Sequence, residues 1–329
     1  MPERQQDRQL DRLVDLLVEN ATVVMSGAKI ASELRVPHST LGEWMDRLRD
    51  LGVEVRGFPG SGYQLVRLPD IPTPHAIHNQ LAGSRFGARI HHFYSLDSTM
   101  SEAARLAAKG APEGTLVVAE EQTAGRGRFG RHWHSERASG LYFTILVRPA
   151  IAPAAAPVLT LLTGVALAEA IQEATQLAVD LRWPNDVMMN EKKCAGILVE
   201  MTAEPLRVSH VLIGIGVNVN HQLIPAVLAE EATSLRLQAG RAFSRLELLI
   251  SVLKRLEHYY NQYLDHGAAG IIARFEQISS YARGRRVRVS DGGTTVSGLT
   301  EGLTPEGILL LRREDGQLEK VLSGQVRPA

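Results

Sequence analysis

Apolar residues near the start of the chain recur with the period of a helix. Leu10, Leu13, Val14 and Leu17 fall at i, i+3, i+4 and i+7, which is one helical face. A second short helix is predicted from Ser26, a good N-cap, with Ile30 and Leu34 inward. Val36-Pro37 interrupts the pattern. A third helix is predicted over 38–50, with Leu41, Trp44, Leu48 and Leu51 on one face. The stretch VEVRGFPGSGYQL then reads as two short strands around a Gly-rich turn. Three helices followed by a hairpin predict a winged helix-turn-helix over residues 1–68.

Pro69, Pro72 and Pro74 predict a stiff linker, because proline fixes φ and cannot continue a helix. Beyond it strands and helices alternate. Helices are predicted over 98–108, 157–177 and 244–264, and strands over 115–119, 141–147, 197–200 and 210–219. This is an α/β domain over 75–280. Residues 283–329 carry short alternating runs (Val287, Val289; Val296, Leu299; Ile308, Leu310). Turns are marked by Asp291-Gly292, Pro305-Glu306-Gly307 and Asp315-Gly316. They predict a small β-barrel or sandwich. The fold class expected is multidomain α+β.

Composition changes this picture little. With 329 residues, two domains and a small third fit. Lys plus Arg equals Asp plus Glu at 36 each, which argues against a protein that lives on polyanions. Cys194 is the single cysteine, so an intramolecular disulfide and a cysteine-based zinc site are excluded. A soluble cytoplasmic protein is expected. Residues 150–168 carry no charge, but Pro153, Pro157, Thr160 and Gly164 make the stretch a buried helix rather than a membrane span.

Candidate chemistry lies in four segments. The first is QTAGRGRFGR (122–131), a loop after the apolar strand TLVVA. Gly125, Gly127 and Gly130 let backbone N–H groups approach an anion, and Arg126, Arg128 and Arg131 supply permanent charge. The glycines match G-x-G-x-x-G by letter, but no helix is expected to follow. The alternatives are an anion-binding loop, a solvated basic loop, and a nuclease- or RNA-contacting tail. With three arginines and three glycines, it is expected not to stay packed without a ligand. The second segment is RWPNDV with KKCAGILVE, a turn and a re-entering strand. Lys193 there is either a point charge for an anion or an exposed turn lysine. The third is IGIGVNVN (213–220), whose glycines serve either a ligand or tight sheet packing. The fourth is Leu96-Asp97-Ser98-Thr99-Met100, which a helix cap at Asp97 or Ser98 would also explain.

GRGRFGRHW, RWPNDV, KKCAGILVEM and IGIGVNVN, in this order, resemble the biotin–protein ligases. With the winged-helix front end the chain resembles the bifunctional form that is also the biotin operon repressor. The resemblance implies a winged helix, a mixed-sheet ligase domain and an SH3-like C-terminal barrel. It implies two steps: biotin plus ATP gives biotinyl-5′-adenylate, then biotin passes to one lysine of a biotin carboxyl carrier domain, such as that of acetyl-CoA carboxylase. Mg²⁺ would neutralise the pyrophosphate, with no metal ligand assigned to the protein.

By the same resemblance Ser98, Thr99 and Gln122 would bind the ureido ring. Gly125, Arg126, Gly127, Arg128, Lys193 and Gly196 would complete the biotin site. Arg128, Arg131, Trp133, Asn185, Asp186, Lys193 and Asn218 would hold ATP and the adenylate, Asn185 and Asp186 supporting ATP and metal or orienting the incoming lysine. Lys193, Arg128 and Arg126 would be catalytic. The sequence departs from the family at Met100, where asparagine is usual, and at Phe129, where a further arginine is common. His38, Ser39, Thr40 and Arg47 would contact operator DNA, bound by an adenylate-promoted homodimer. Residues 1–68 carry nine Lys/Arg against ten Asp/Glu, which does not favour a polyanion. A ligase whose winged helix binds no DNA, a non-catalytic biotin-sensing repressor and a lipoate ligase stand as alternatives.

Overall fold

The computed structural model describes residues 2–291 and 293–329. The expected turn residue Gly292 lies outside them. The chain begins with α1 (Pro2–Glu19), α2 (Gly27–Leu34), α3 (Thr40–Asp50) and the antiparallel pair β1 (Val55–Phe58) and β2 (Gly62–Leu65). Ser26 caps α2, its side chain accepting from the Lys29 amide. Leu10, Leu13, Val14, Leu17, Ile30, Leu41 and Leu48 form one core, as the periodicity predicts. Met45 is buried there too, while Trp44 is only half-buried. Gly62 has φ +137°, and a Cβ on it would meet the Met25 carbonyl at 1.8 Å, so the hairpin packs on the helices only with glycine here.

The expected linker is not a free tether. Ile71 is buried in the same core, Thr73 donates to Asp15 at 2.6 Å, and Pro74 opens α4 (Pro74–Gln80), at whose first turn proline is tolerated. Then follow β3 (Arg89–Phe93), α5 (Thr99–Ala108), β4 (Thr115–Ala119), β5 (Leu141–Val147), α6 (Pro157–Thr175), β6 (Asp180–Arg182), β7 (Asp186–Met189), β8 (Lys192–Glu204), β9 (Arg207–Val217), α7 (Leu235–Ala239), α8 (Arg245–His266) and α9 (Ala269–Ile278). The strands form one mixed sheet, ordered β3-β4-β5-β9-β8-β7-β6, with only β3 and β4 parallel.

The alternation of residues along these strands sorts the two faces. Leu116, Val118, Val211, Ile213, Ile215 and Val217 face α6, α8 and α9 in the large core. The apolar stretch at 153–175 is long enough to cross a membrane, but most of it is buried in this core. Val117 and Leu212 face the other way, against α5. On that second face β9 continues Leu212, Gly214, Gly216, and β8 carries Gly196 and Leu198. Gly196 pairs with Gly216, and Leu198 with Gly214. Three glycines on adjacent strands thus leave a bare trough beside α5.

The chain ends in β10 (Arg283–Ser290), β11 (Thr295–Leu303), β12 (Leu309–Arg312), β13 (Leu318–Val321) and β14 (Gln325–Pro328), an antiparallel sheet ordered β13-β12-β11-β10-β14. Val287 and Val289 point inward as expected. Leu309 and Leu311 are buried instead of Ile308 and Leu310. A run of four apolar residues carries no alternation, so the phase was not legible there.

The N-terminal core is joined to the mixed sheet by buried charges. His92 Nδ1 lies 2.7 Å from Asp11 Oδ1, and its Nε2 lies 3.4 Å from Glu120 Oε1. Burial lowers the His92 pKa, but Asp11 and Glu120 outweigh it and push it up to about 10. Burial raises Glu120, but Arg245 and His92 hold it below the usual carboxylate range. A histidine raised on folding stabilises fully below its unfolded pKa of 6.5, and that stability is lost as pH rises towards about 10. His92→Gln should therefore cost roughly 3–5 kcal/mol at pH 6 in urea unfolding, the cost of breaking a buried pair. The difference from the native protein should shrink as pH rises. A pH-independent difference would show that the imidazole is not charged.

Candidate active site

Two compartments meet beside the glycine trough, and the trough's glycines line the inner one. The inner one, about 440 Å³ with its solvent-open mouth included, is lined by Ser98, Thr99, Met100, Gln122, Gly196, Leu198, Gly214 and Gly216. The outer one, about 970 Å³ and open to solvent, is lined by Arg131, Asp186, Asn218, Glu231 and Gln325, among others. Gly127, Arg128, Trp133, Asn185 and Lys193 line both.

The inner compartment begins where β4 and α5 present their ends. Gln122 Oε1 accepts from the Thr99 amide at 2.9 Å and from Thr99 Oγ1 at 3.2 Å, and Gln122 Nε2 donates to Ser135 Oγ at 2.9 Å. Helix capping does not explain Ser98. Its side chain makes no cap hydrogen bond, and its buried Oγ has no partner among the described residues. Trp133 Nε1 is likewise buried and unpartnered among them. Two orphaned polar atoms beside one cavity mark a place for a ligand with hydrogen-bonding groups.

The glycines serve side chains rather than backbone or sheet packing. A Cβ on Gly214 would meet Met100 Sδ at 2.6 Å, and one on Gly216 would meet Trp133 Nε1 at 2.5 Å. On Gly196 it would meet Lys193 Nζ at 2.9 Å. Met100 is thus an apolar wall of the trough. Gly125 does not line the inner compartment, but a Cβ there would strike the Trp133 carbonyl at 2.5 Å.

Lys193 stands at the junction. Its Nζ lies 2.5 Å from Asp186 Oδ1 and 5.3 Å from the Trp133 ring centre. Arg182 Nη2 binds the other Asp186 oxygen at 2.7 Å. Burial raises the Asp186 pKa, but Lys193 and Arg182 outweigh it and hold the carboxyl below its usual range. Asp186 is therefore engaged twice, once on each oxygen. Asn185 is engaged too, accepting from Arg128 Nη1 at 3.0 Å and donating to the Ile197 carbonyl at 2.9 Å. Both residues fix cations in place at the edge of the outer compartment. Among the described residues no three His, Cys, Asp or Glu side chains converge as a metal site.

The glycine-arginine loop is packed, against expectation. Arg126 pairs with Glu200 at 3.2 Å, Arg128 also donates to the Gly324 carbonyl at 3.2 Å, and Arg131 donates to Gln325 at 2.6 Å. Protein partners from β8 and the C-terminal segment relieve the mutual repulsion of the arginines. The Gly127 amide donates to the Arg131 carbonyl at 2.7 Å, and only a short 3₁₀ turn follows. Arg126 lines the inner compartment but not the outer, and Arg131 the outer but not the inner. Asn218 lines the outer one, its Nδ2 held by the Thr233 carbonyl at 2.9 Å. Phe129 covers the outer side, with Arg128 4.9 Å from its ring centre. Arg327 does not line either compartment but pairs with Glu231 at the rim.

Glu231, Gln325 and Gly324 were not foreseen, because nothing local marks residues some 100 to 190 positions downstream of the loop. Of the residues expected at DNA, His38 and Ser39 are exposed and Thr40 half-buried at the start of α3. Arg47 pairs with Asp7 of α1 at 3.0 Å and lies 5.5 Å from the Tyr94 ring centre, its side chain still partly exposed.

Residues 92–218 match the biotin/lipoate A/B protein ligase family, and 283–326 match the biotin protein ligase C-terminal domain. The chain is 38% identical over 320 residues to the bifunctional ligase/repressor BirA of Bacillus subtilis, covering 95% of this chain and 97% of that protein. It is 34% identical over 227 residues to the biotin–[acetyl-CoA-carboxylase] ligase of Paracoccus denitrificans, covering 67% of this chain and 93% of that one. Among solved structures, the biotin protein ligase from Aquifex aeolicus in complex with biotin and ATP superposes with a TM-score of 0.64 at 32% identity. It covers 74% of this chain and 100% of that one.

Gly216→Ala tests the trough. The new methyl should push the indole outward, shift tryptophan emission to the red and cost about 1–3 kcal/mol, the usual range for overpacking. Unchanged emission and stability would mean Trp133 does not lie over Gly216.

Proposed function

The chain belongs to the biotin–protein ligase family, and from that premise we propose how its two compartments divide the chemistry. The protein is a biotin–[acetyl-CoA-carboxylase] type ligase that activates biotin with ATP and transfers it to a lysine of a biotin carboxyl carrier domain. Biotin occupies the inner compartment, its ureido ring toward Ser98, Thr99 and Gln122 and its carboxylate toward Arg128 and Lys193. ATP occupies the outer compartment with its α-phosphate at the same two cations. A carboxylate oxygen attacks the α-phosphorus and pyrophosphate leaves. The carrier's lysine amine then attacks the acyl carbon and AMP leaves.

One observation carries the reading. The residues common to both compartments include the two cations that a carboxylate–phosphate union needs at its meeting point. Asp186 aims Lys193, and Asn185 aims Arg128. Arg126 and Gly127 close over the biotin acid, and Arg131, Trp133 and Asn218 enclose the nucleotide. The described residues do not fit a protein-held Mg²⁺, since Asp186 and Glu231 are already paired with cations. Mg²⁺ would arrive on the ATP phosphates. A cytoplasmic location accords with this chemistry.

The three N-terminal helices and hairpin are a winged helix, and the C-terminal sheet is an SH3-like barrel. We assign the winged helix to operator DNA through His38, Ser39 and Thr40, in an adenylate-promoted homodimer matching a two-fold operator. A second reading, a ligase whose winged helix binds no operator, is favoured by the engagement of Arg47 with Asp7.

Biotin-dependent exchange of labelled pyrophosphate into ATP tests the ligase reading. Lys193→Ala should slow it roughly 10²- to 10³-fold, the scale of one preorganised electrostatic donor. Near-normal exchange would remove Lys193 from the reaction. Binding to DNA upstream of the biotin-synthesis genes should tighten with biotin and ATP together and weaken steeply with salt. Affinity equal to that for random DNA, both ligands present, would favour the second reading.

A further inference from the structure

Five ionisable groups outside the site form a chain through the molecule. Asp11 of α1 meets His92 of β3, His92 meets Glu120 at the end of β4, and Arg245 at the start of α8 meets Glu120 and Asp70. All but Asp70 are at least nine-tenths buried. None of the five lines either compartment. Charges this deep persist only when each is paired, so their arrangement is a constraint on whatever they touch.

They touch both feet of the ligand loop. The Glu120 amide donates to the Phe93 carbonyl at 2.9 Å, and the Glu120 carbonyl accepts from the Ala138 amide at 3.1 Å. Arg245 Nη1 lies 2.8 Å from Glu120 Oε2, a close ion contact rather than an aligned hydrogen bond, and donates to the Gly140 carbonyl at 3.2 Å. One guanidinium thus holds Glu120, two residues before Gln122, and Gly140, which follows the loop. Gln122 is the residue that organises Thr99 in the inner compartment.

We propose that Glu120 and Arg245 are positioning residues for the loop Gln122 to His134, and that Asp11, seated on His92, keeps them in register. The proposal rests on the ligase reading of the site. Its physical logic is competition for one carboxylate. With Asp11 ionised, His92 is satisfied and Glu120 can serve Arg245. Without that charge Glu120 is the one carboxylate left in contact with the buried imidazolium, Asp7 acting on it only from farther away, and Glu120 is drawn away from the guanidinium that pins the loop. The seat of the N-terminal helices and the affinity of the loop for biotin are then linked, and the link is reciprocal.

Asp11→Asn in the full chain tests this, because Asp11 touches neither the loop nor the compartments. The KM for biotin in pyrophosphate exchange should rise at least about fivefold, the lower end of coupling between distant sites. The KM for ATP should barely change. Trypsin should cut at Arg126, Arg128 or Arg131 faster in the free variant. The double variant Asp11→Asn/His92→Gln should recover much of the biotin KM, since Glu120 is again left to Arg245. Asp70→Asn, at the half-exposed end of the chain, should raise the biotin KM as well and stands in if Asp11→Asn does not fold. A lower melting temperature with an unchanged biotin KM, or a double variant worse than the single, would overturn the proposal. Native protein without biotin-dependent exchange would instead overturn the ligase reading, leaving the trypsin comparison to judge the loop.

Discussion

Two anions have to be brought together, and neither enters a dry site willingly. A carboxylate and a phosphate oxygen about 4 Å apart repel by about 4 kcal/mol at the effective dielectric of a protein surface. Cations fixed in advance cancel that repulsion without the reorganisation that water would need. We assign this role to Lys193 and Arg128, each of which is itself held, Lys193 by Asp186 and Arg128 by Asn185 and the Gly324 carbonyl. Asp186 carries two cations on its two oxygens, so removing it would release both Lys193 and Arg182. The placement of the compartments, the loop and the C-terminal segment all follow from keeping these charges at one point.

The sheet supplies the room. On the face away from α6, β8 and β9 put Gly196 against Gly216 and Gly214 against Leu198, so that face is bare backbone where other strands carry side chains. Met100, Trp133 and Lys193 lie over those glycines. Each wall is therefore set by a β-strand position where a methyl group would displace the side chain lying over it. The opposite face of the same strands is packed with Ile213, Ile215 and Val217, which makes the floor rigid.

Much of this was legible from the chain. Helical spacing gave the three N-terminal helices, and the loop, turn and glycine-strand segments all lie at the compartments. What each residue does there was less legible. Lys193 read in isolation as an exposed turn lysine, because the partner that holds it, Asp186, comes from the neighbouring strand of the sheet. The glycines left two meanings open, and the structure supplied a third, clearance for side chains. Arg47 read as a DNA contact from its helix alone, while its partner Asp7 sits 40 residues upstream. The buried chain from Asp11 to Asp70 left no trace in periodicity or motif, since its members come from five distant segments. Phase was lost wherever apolar residues ran together, as at Leu309 and Leu311.

The central claim is that the carboxylate and the α-phosphate meet between Lys193 and Arg128. A crystal structure with a non-hydrolysable biotinyl-adenylate analogue tests it most directly. The linking group should lie within hydrogen-bond distance, about 2.7–3.2 Å, of Lys193 Nζ and of an Arg128 nitrogen, with Asp186 still against Lys193. A linker seated away from both cations, with the two ligand halves in other compartments, would contradict the account.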